Sequence, residues 1–222
     1  MVSWLDDAQD EDDEFIEAAK AIRLLALDVD GVLTDGTIYI AADGECFKGF
    51  NAKDGMGISC ALRNGLDVAI ITGRKSEIIH RRAEELGITT IIEGAKDKRE
   101  ALRSLRRLRG LSVEEVAYVG DDLNDLPAFA ESGLTFAPDD AAEDVYDAAD
   151  IGLDNPGGRG AVREAIEYIL AAQDKWEKIV ASYEQAGQDR KSTRLNSSHS
   201  RIWFGGVGVK KKRGGGGGGG GG

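Results

Sequence analysis

Short apolar runs, each closed by a polar turn, recur along the chain. Ile22 to Leu27 ends at Asp28, Val68–Ile71 at Thr72-Gly73, Thr89–Ile92 at Glu93-Gly94, Val116–Val119 at Gly120-Asp121, and Leu134–Ala137 at Pro138-Asp139. Runs of this length bounded by turn residues read as strands buried on both faces. Between them apolar positions fall at helical spacing. Ser76–Leu86 lines up Ile78, Ile79, Ala83 and Leu86 before Gly87, and Arg99–Arg109 lines up Leu102, Leu105 and Leu108 before Gly110. Glu14–Lys20 shows the same spacing, and a last helix is predicted from Ala161 to about Gln185, with Val162, Ile166, Ile169, Leu170, Trp176 and Ile179 apolar. Strand and helix in alternation predict an α/β domain: a Rossmann-like parallel sheet flanked by helices, connected right-handedly.

One segment breaks the alternation. Thr37–Ile40 and Glu45–Phe50 flank Ala41-Ala42-Asp43-Gly44, and Asp-Gly between β-rich runs signals a hairpin. It follows the first strand directly, so it projects as a flap from the sheet edge where α/β folds bind ligands. Its Ile38, Tyr39, Ile40, Phe47 and Phe50 are more apolar surface than a two-stranded flap stabilises alone. Burial against further copies of the chain is expected, with Asp43, Glu45 and Lys48 as a charged rim.

Composition narrows the class. The 222 residues are 41% hydrophobic and 31% charged, as in a soluble globular protein. No apolar stretch approaches the roughly 18–20 residues of a membrane span. Met1–Asp13 is acidic and lacks a signal-peptide pattern. Cys46 and Cys60 cannot build a disulfide scaffold and suit a reducing cytoplasm, and with His80 and His199 the only histidines a Cys/His zinc site is not expected. The chain divides into an acidic helical segment (1–20), the α/β domain (21–188) and a stretch of different character (189–222). That last stretch has eight Lys or Arg, one Asp and 12 of the 30 glycines. Asp189–His199 back-translates to a sequencing-adapter sequence, with Lys210–Lys212 and Gly214–Gly222 as homopolymer runs. It reads as a translated artefact, expected to be disordered.

Setting it aside changes the charge. The whole chain carries 28 basic and 40 acidic side chains; without the stretch 20 and 39 remain, so −12 becomes −19. A nucleic-acid backbone would be repelled from such a surface. A small anion could bind where a metal ion and a few basic groups reverse the field.

Four polar clusters sit at predicted strand ends: Asp28-Val29-Asp30-Gly31, Thr72-Gly73-Arg74, Lys98 at a helix start, and Gly120-Asp121-Asp122-Leu123-Asn124-Asp125. Singly each is ordinary: Thr72 a turn, Lys98 a solvated cation, Asp122 a helix cap. Together they suit phosphoryl transfer through an aspartyl-phosphate. A carboxylate attacks phosphorus when a hard divalent cation neutralises both partners. A second carboxyl protonates the leaving oxygen and then activates water, while a hydroxyl and an ammonium hold the other oxygens. Asp28, Asp30, Thr72, Lys98 and Asp121 supply that set, and an all-oxygen ligand set points to Mg2+.

These residues resemble the haloacid-dehalogenase superfamily of phosphatases, whose four motifs they match in order over roughly Ile22–Leu170. The chain is most similar to its capless, tetrameric 3-deoxy-D-manno-octulosonate 8-phosphate phosphatases of lipopolysaccharide biosynthesis. That likeness rests on Leu27–Gly36, Phe50-Asn51 with Asp54-Gly55, Ala69–Lys75, Val116–Leu123 and Gly157–Glu164. The resemblance implies Asp28 as nucleophile and metal ligand, Asp30 as acid/base with its main-chain carbonyl on the metal, and Asp121 as the third ligand. Thr72 and Lys98 would hold the phosphoryl group, with Asp122 or Asp125 supporting Lys98 or a metal-bound water. Asn51, Ala52, Lys53, Asp54, Gly55, Arg74 and Arg82 would contact the sugar acid beside Asp30 and Lys98, partly across a subunit boundary. The Gly157–Gly160 segment would pack near a neighbour's site. Ser59 stands where many members carry an arginine, which keeps a nine-carbon, neuraminate-type 9-phosphate open as substrate. A catalytically silent tetramerisation module is the other alternative, against which stand the intact Asp28 and Asp30.

Overall fold

The apolar runs become the parallel strands of one sheet. In the computed structural model, which describes residues 14–42 and 44–188, helix α1 (14–21) leads into β1 (Leu24–Leu27). After the flap come α2 (Ala52–Arg63), β4 (Asp67–Ile71), α3 (Glu77–Leu86), β5 (Thr90–Ile92) and α4 (Lys98–Arg109). The chain continues through β6 (Val116–Val119), α5 (Leu126–Phe129), β7 (Leu134–Ala137), α6 (Glu143–Ala148), β8 (Ile151–Gly152), α7 (Ala161–Ala172) and α8 (Trp176–Gln188). The sheet order is β5-β4-β1-β6-β7-β8, every pairing parallel. From β1 the chain builds outward on one side, then crosses to β6 and builds outward on the other. The crevice between the C-terminal ends of β1 and β6 is therefore the switch point where such sheets bind ligands.

Alternation along the strands fills two cores. Leu25 and Leu27 face a large cluster with Ile58, Val162, Ile166 and Ile169 from α2 and α7. Leu24 and Ala26 face a smaller one with Leu102, Leu105 and Tyr118. The ends of the helices follow their capping residues. Asn51 accepts from Lys53 N (2.8 Å) to start α2, Asp97 accepts from Glu100 N (3.1 Å) to start α4, and Gly87 and Gly110 end α3 and α4 in the left-handed region.

Several expectations need correcting. The long terminal helix is two: Asp174 adopts φ 54° and breaks it between α7 and α8. Leu108, expected on the core face of α4, is 83% exposed, because two three-residue steps from Leu102 through Leu105 carry it about 120° round the helix, off the buried face. The Asn51–Gly55 segment is the N-cap and first turn of α2. The flap strands shrink to β2 (Ile40–Ala41) and β3 (Gly44–Glu45), extended by a Cys46 N to Tyr39 O bond and by stacking of Tyr39 on Phe47. Phe50 leaves the flap to pack against the main core. Asp43, Met1–Asp13 and the whole 189–222 stretch lie outside the described residues. Among the described residues no helix is long and apolar enough to cross a membrane.

Candidate active site

Strand register brings the four clusters together. Leu27 pairs with Ile70 on one side and Val119 on the other, so Asp28 stands level with Ile71 and Gly120. Thr72 and Asp121 each come one residue later. From beyond the sheet, Lys98 at the start of α4 reaches in, its Nζ 2.8 Å from Asp28 Oδ1 and 2.7 Å from Asp125 Oδ1. Asp125 is fully buried and saturated: its Oδ1 also accepts from the Tyr118 hydroxyl (2.7 Å), and its Oδ2 from Asp121 N (3.1 Å) and Asp122 N (3.4 Å). Of the two residues expected to support Lys98, Asp125 does so. Asp122 is exposed and turns back onto Leu123 N.

Asp28, Asp121 and Asp125 each bring a carboxylate oxygen within 4.8 Å of the others, facing a single ammonium. The imbalance shows in their acidities. Burial, then the Asp125 charge, pushes Asp28 up to about 6 against the pull of Lys98. Burial, then the Asp28 and Asp125 charges, pushes Asp121 up to about 8. Buried carboxylates left this short of positive charge call for a cation. Asp121 Oδ1 is buried without a hydrogen-bond partner. With Asp125 saturated, Asp28 and Asp121 are the carboxylates a cation would engage, and all-oxygen donors fit a hard ion such as Mg2+.

The backbone is built to let these groups meet. Gly31 takes φ 96°, and a Cβ there would fall 1.9 Å from Asp121 Oδ2. A Cβ on Gly157 would fall 1.8 Å from Gly31 O, so Gly157–Gly160 packs on its own chain's Gly31–Asp35 turn. That segment is in turn held by Asp54. Its buried carboxylate accepts from Gly160 N (3.2 Å) and Arg163 N (2.8 Å), capping α7, whose own N-cap glycine has no side chain.

Asp30 is joined to the flap. Lys48, expected at a solvated rim, has a side chain only 2% exposed; it donates to Asp30 Oδ1 and lies 2.9 Å from Glu45 Oε1. Burial alone would lower its ammonium, but the hydrogen bonds to Asp30 and Glu45 outweigh it and raise the group above the ordinary lysine value. Glu45 Oε2 accepts from Ser76 Oγ, and Ser76 N donates to Glu93 (2.9 Å), so the flap is tied to the turn before α3. Arg74 Nε stands 3.8 Å from Asp30 Oδ2. Thr72 is buried, with its Oγ1 accepting from Arg74 N (3.3 Å).

The remaining candidates are spread around this centre. Ala52 and Lys53 are exposed on the first turn of α2, Asn51 is half-buried, and Asp54 and Gly55 lie beneath them. Arg82 sits over the Phe50 ring (5.6 Å) and pairs with Glu85. Ser59 lines a hollow of about 360 Å³ with Arg63, Glu84 and Glu85 between α2 and α3. Tyr118 and the inward turn of Lys48 are functional features beyond those expected from sequence. For Tyr118 a signal existed, since a tyrosine inside a fully buried strand needs a partner for its hydroxyl. For Lys48 no spacing marks it.

The comparisons with known proteins agree with this geometry. Residues 53–133 match the family model of haloacid dehalogenase-like hydrolases. The 3-deoxy-D-manno-octulosonate 8-phosphate phosphatase of Yersinia pestis is 47% identical over 165 residues, 74% of this chain and 88% of that protein. Its crystal structure superposes with a TM-score of 0.73, covering 74% of this chain and 89% of that one. The Moraxella catarrhalis enzyme of the same name, solved with a magnesium ion, a phosphate ion and a KDO molecule, is 41% identical with a TM-score of 0.75, covering 77% of this chain and 98% of that one. With nearly the full length of these relatives matched at such identity, the chain belongs to the 3-deoxy-D-manno-octulosonate 8-phosphate phosphatase family of haloacid dehalogenase-like hydrolases.

Proposed function

We propose that this chain hydrolyses 3-deoxy-D-manno-octulosonate 8-phosphate to the free sugar acid and phosphate, a step in lipopolysaccharide precursor synthesis, with Mg2+ as cofactor. The observation that carries the mechanism is the buried cluster of Asp28, Asp121 and Lys98 beside Asp30 at the β1–β6 crevice. Asp28, Asp121 and the main-chain carbonyl of Asp30 would hold the ion. When bound, Mg2+ neutralises charge on the nucleophile and on the phosphoryl oxygens.

Asp28 attacks phosphorus, the bond to the sugar oxygen breaks, and that oxygen takes a proton from Asp30. Asp30, now a carboxylate, takes a proton from water as the water oxygen attacks the aspartyl-phosphate. The phosphorus–Asp28 bond breaks and phosphate leaves. The Thr72 hydroxyl and the Lys98 ammonium hold the other phosphoryl oxygens, and Asp125 keeps Lys98 in place. Asn51, Ala52, Lys53, Arg74 and Arg82 contact the sugar acid, while Asp54 and Gly55 support that turn from beneath.

The working unit is a homotetramer in the cytoplasm. What supports the assembly is the flap, where Ile40 is 73% exposed beside exposed Ile38, Tyr39 and Phe47. Such a patch is large for a free surface, and covering it with other copies also walls the site from water.

The test is phosphate release from the eight-carbon 8-phosphate and from a nine-carbon neuraminate-type 9-phosphate, with Mg2+ and with chelator. Mg2+-dependent release, higher kcat/KM on the eight-carbon substrate and an inactive Asp28→Asn variant are expected. Better turnover of the nine-carbon acid would overturn the substrate, and full activity in chelator would overturn the metal.

A further inference from the structure

The ion pair between Lys48 and Asp30 joins the flap to the residue that moves the proton. A buried ammonium is costly unless it is fully paired. The flexible stem of a lysine normally carries its charge out to water. Lys48 instead turns inward and bridges Asp30 Oδ1 and Glu45 Oε1.

Anchoring the flap does not require this contact. Glu45 already binds the Ser76 hydroxyl, and Ser76 belongs to the turn before α3, outside the flap. What the lysine adds falls on Asp30. The terminal torsion of a carboxylate is broad and nearly two-fold. Asp30 also sits in a turn just past the end of β1, its side chain half-buried. A donor on one oxygen removes that freedom. The other oxygen, Oδ2, has Arg74 Nε at 3.8 Å, beyond hydrogen-bonding distance.

We infer that Lys48 is a positioning residue for Asp30, holding Oδ1 so that Oδ2 is the oxygen that delivers and takes up the proton. The inference rests on the acid/base reading of Asp30 and deepens it: the flap that covers the site also aims its acid. A displaced flap then loses proton transfer as well as shelter for the substrate.

The experiment compares two leaving groups. The sugar oxygen leaves poorly without a proton, whereas 4-nitrophenolate leaves without one, and kcat/KM reports the step that expels it. Lys48→Met should lower kcat/KM on the sugar phosphate by about 10²-fold and on 4-nitrophenyl phosphate by less than about fivefold, the signature of a misplaced acid. Lys48→Arg, which keeps the charge, should return the sugar-phosphate value to within about tenfold of wild type, showing that the loss is not one of folding. Placed on Asp30→Asn, Lys48→Met should cost nothing further, because residues acting as a unit are not additive. Ser76→Ala, which removes the hydroxyl tying Glu45 to the turn before α3 and touches neither Lys48 nor Asp30, should leave the ratio of the two kcat/KM values within about twofold of wild type.

An equal loss on both substrates from Lys48→Met, a full additional loss on Asp30→Asn, or a Ser76→Ala ratio shifted as far as that of Lys48→Met would overturn the inference. The underlying reading fails separately. If Asp30→Asn itself lowers both substrates equally, Asp30 is not the acid, whatever Lys48 does.

Discussion

Tyr118→Phe isolates one bond beneath the catalytic cluster. Tyr118 is 0% exposed, in the middle of β6, and its ring sits edge-on to Phe129. Phenylalanine keeps that packing and deletes only the hydroxyl that donates to Asp125 Oδ1 at 2.7 Å. Burial pushes the phenol well above its ordinary pKa, so the group is a neutral donor at any working pH. A hydrogen bond to a charged partner is worth about 1.5–3 kcal/mol. Asp125 retains Lys98 and two backbone donors, which puts the expected loss near the lower end, about 2 kcal/mol. For a chain of this size that is a fall of roughly 4–8 °C in Tm. Lys98 keeps both carboxylates, so kcat should drop by less than about tenfold, short of the ~10²-fold that ångström-scale misplacement costs. Urea unfolding at fixed protein concentration, read from the midpoint and slope, measures the loss. A variant as stable as wild type would refute the reasoning, since it would mean that buried Asp125 does not need the hydroxyl.

Replacing Ile38 and Ile40 by Asp should disperse the oligomer in light scattering and cut activity with it; a variant that remains tetrameric, or an active monomer, would take that role from the flap. Glu131 is held below the usual carboxylate range, first by its hydrogen bond from Arg103 and then by Arg106. Its contribution to stability is therefore present above its unfolded value of 4.5 and lost as pH falls through the lower folded value. Glu131→Gln should destabilise at pH 7, with the deficit shrinking as pH falls below 4.5 through the lower folded value; a deficit that stays constant across that range would show that the charge is not what matters.

Much of this was legible beforehand because parallel strands buried on both faces write themselves as apolar runs. β6 and β7 match their expected bounds, and the polar residues that end the strands are those that meet at the crevice. What could not be read were contacts made by tertiary position. β8 is two residues long, too short to show a pattern. α2 contains Gly55 and Gly57, weak helix formers that the packing against α7 overrides. Asp54, which the family resemblance puts at the sugar acid, is instead buried under the start of α7, whose backbone donors come more than a hundred residues later in the chain. Lys48 looks like a rim charge because alternation in a flap says which face a side chain takes, not what stands opposite it. The strand-end acids outnumber Lys98, and that imbalance signalled that more positive charge was needed without saying where it lay.

The central claim is that the phosphoryl group passes through Asp28. Asp30→Asn, mixed with 4-nitrophenyl phosphate and Mg2+ and quenched in acid, should accumulate the covalent enzyme, because the leaving group needs no proton while the water that follows needs a base. Peptide mass spectrometry should find the phosphoryl group on the segment containing Asp28 and lose it when Asp28 is also changed to Asn. Release of nitrophenolate with no phosphorylated peptide, or with phosphate on another residue, would contradict the account.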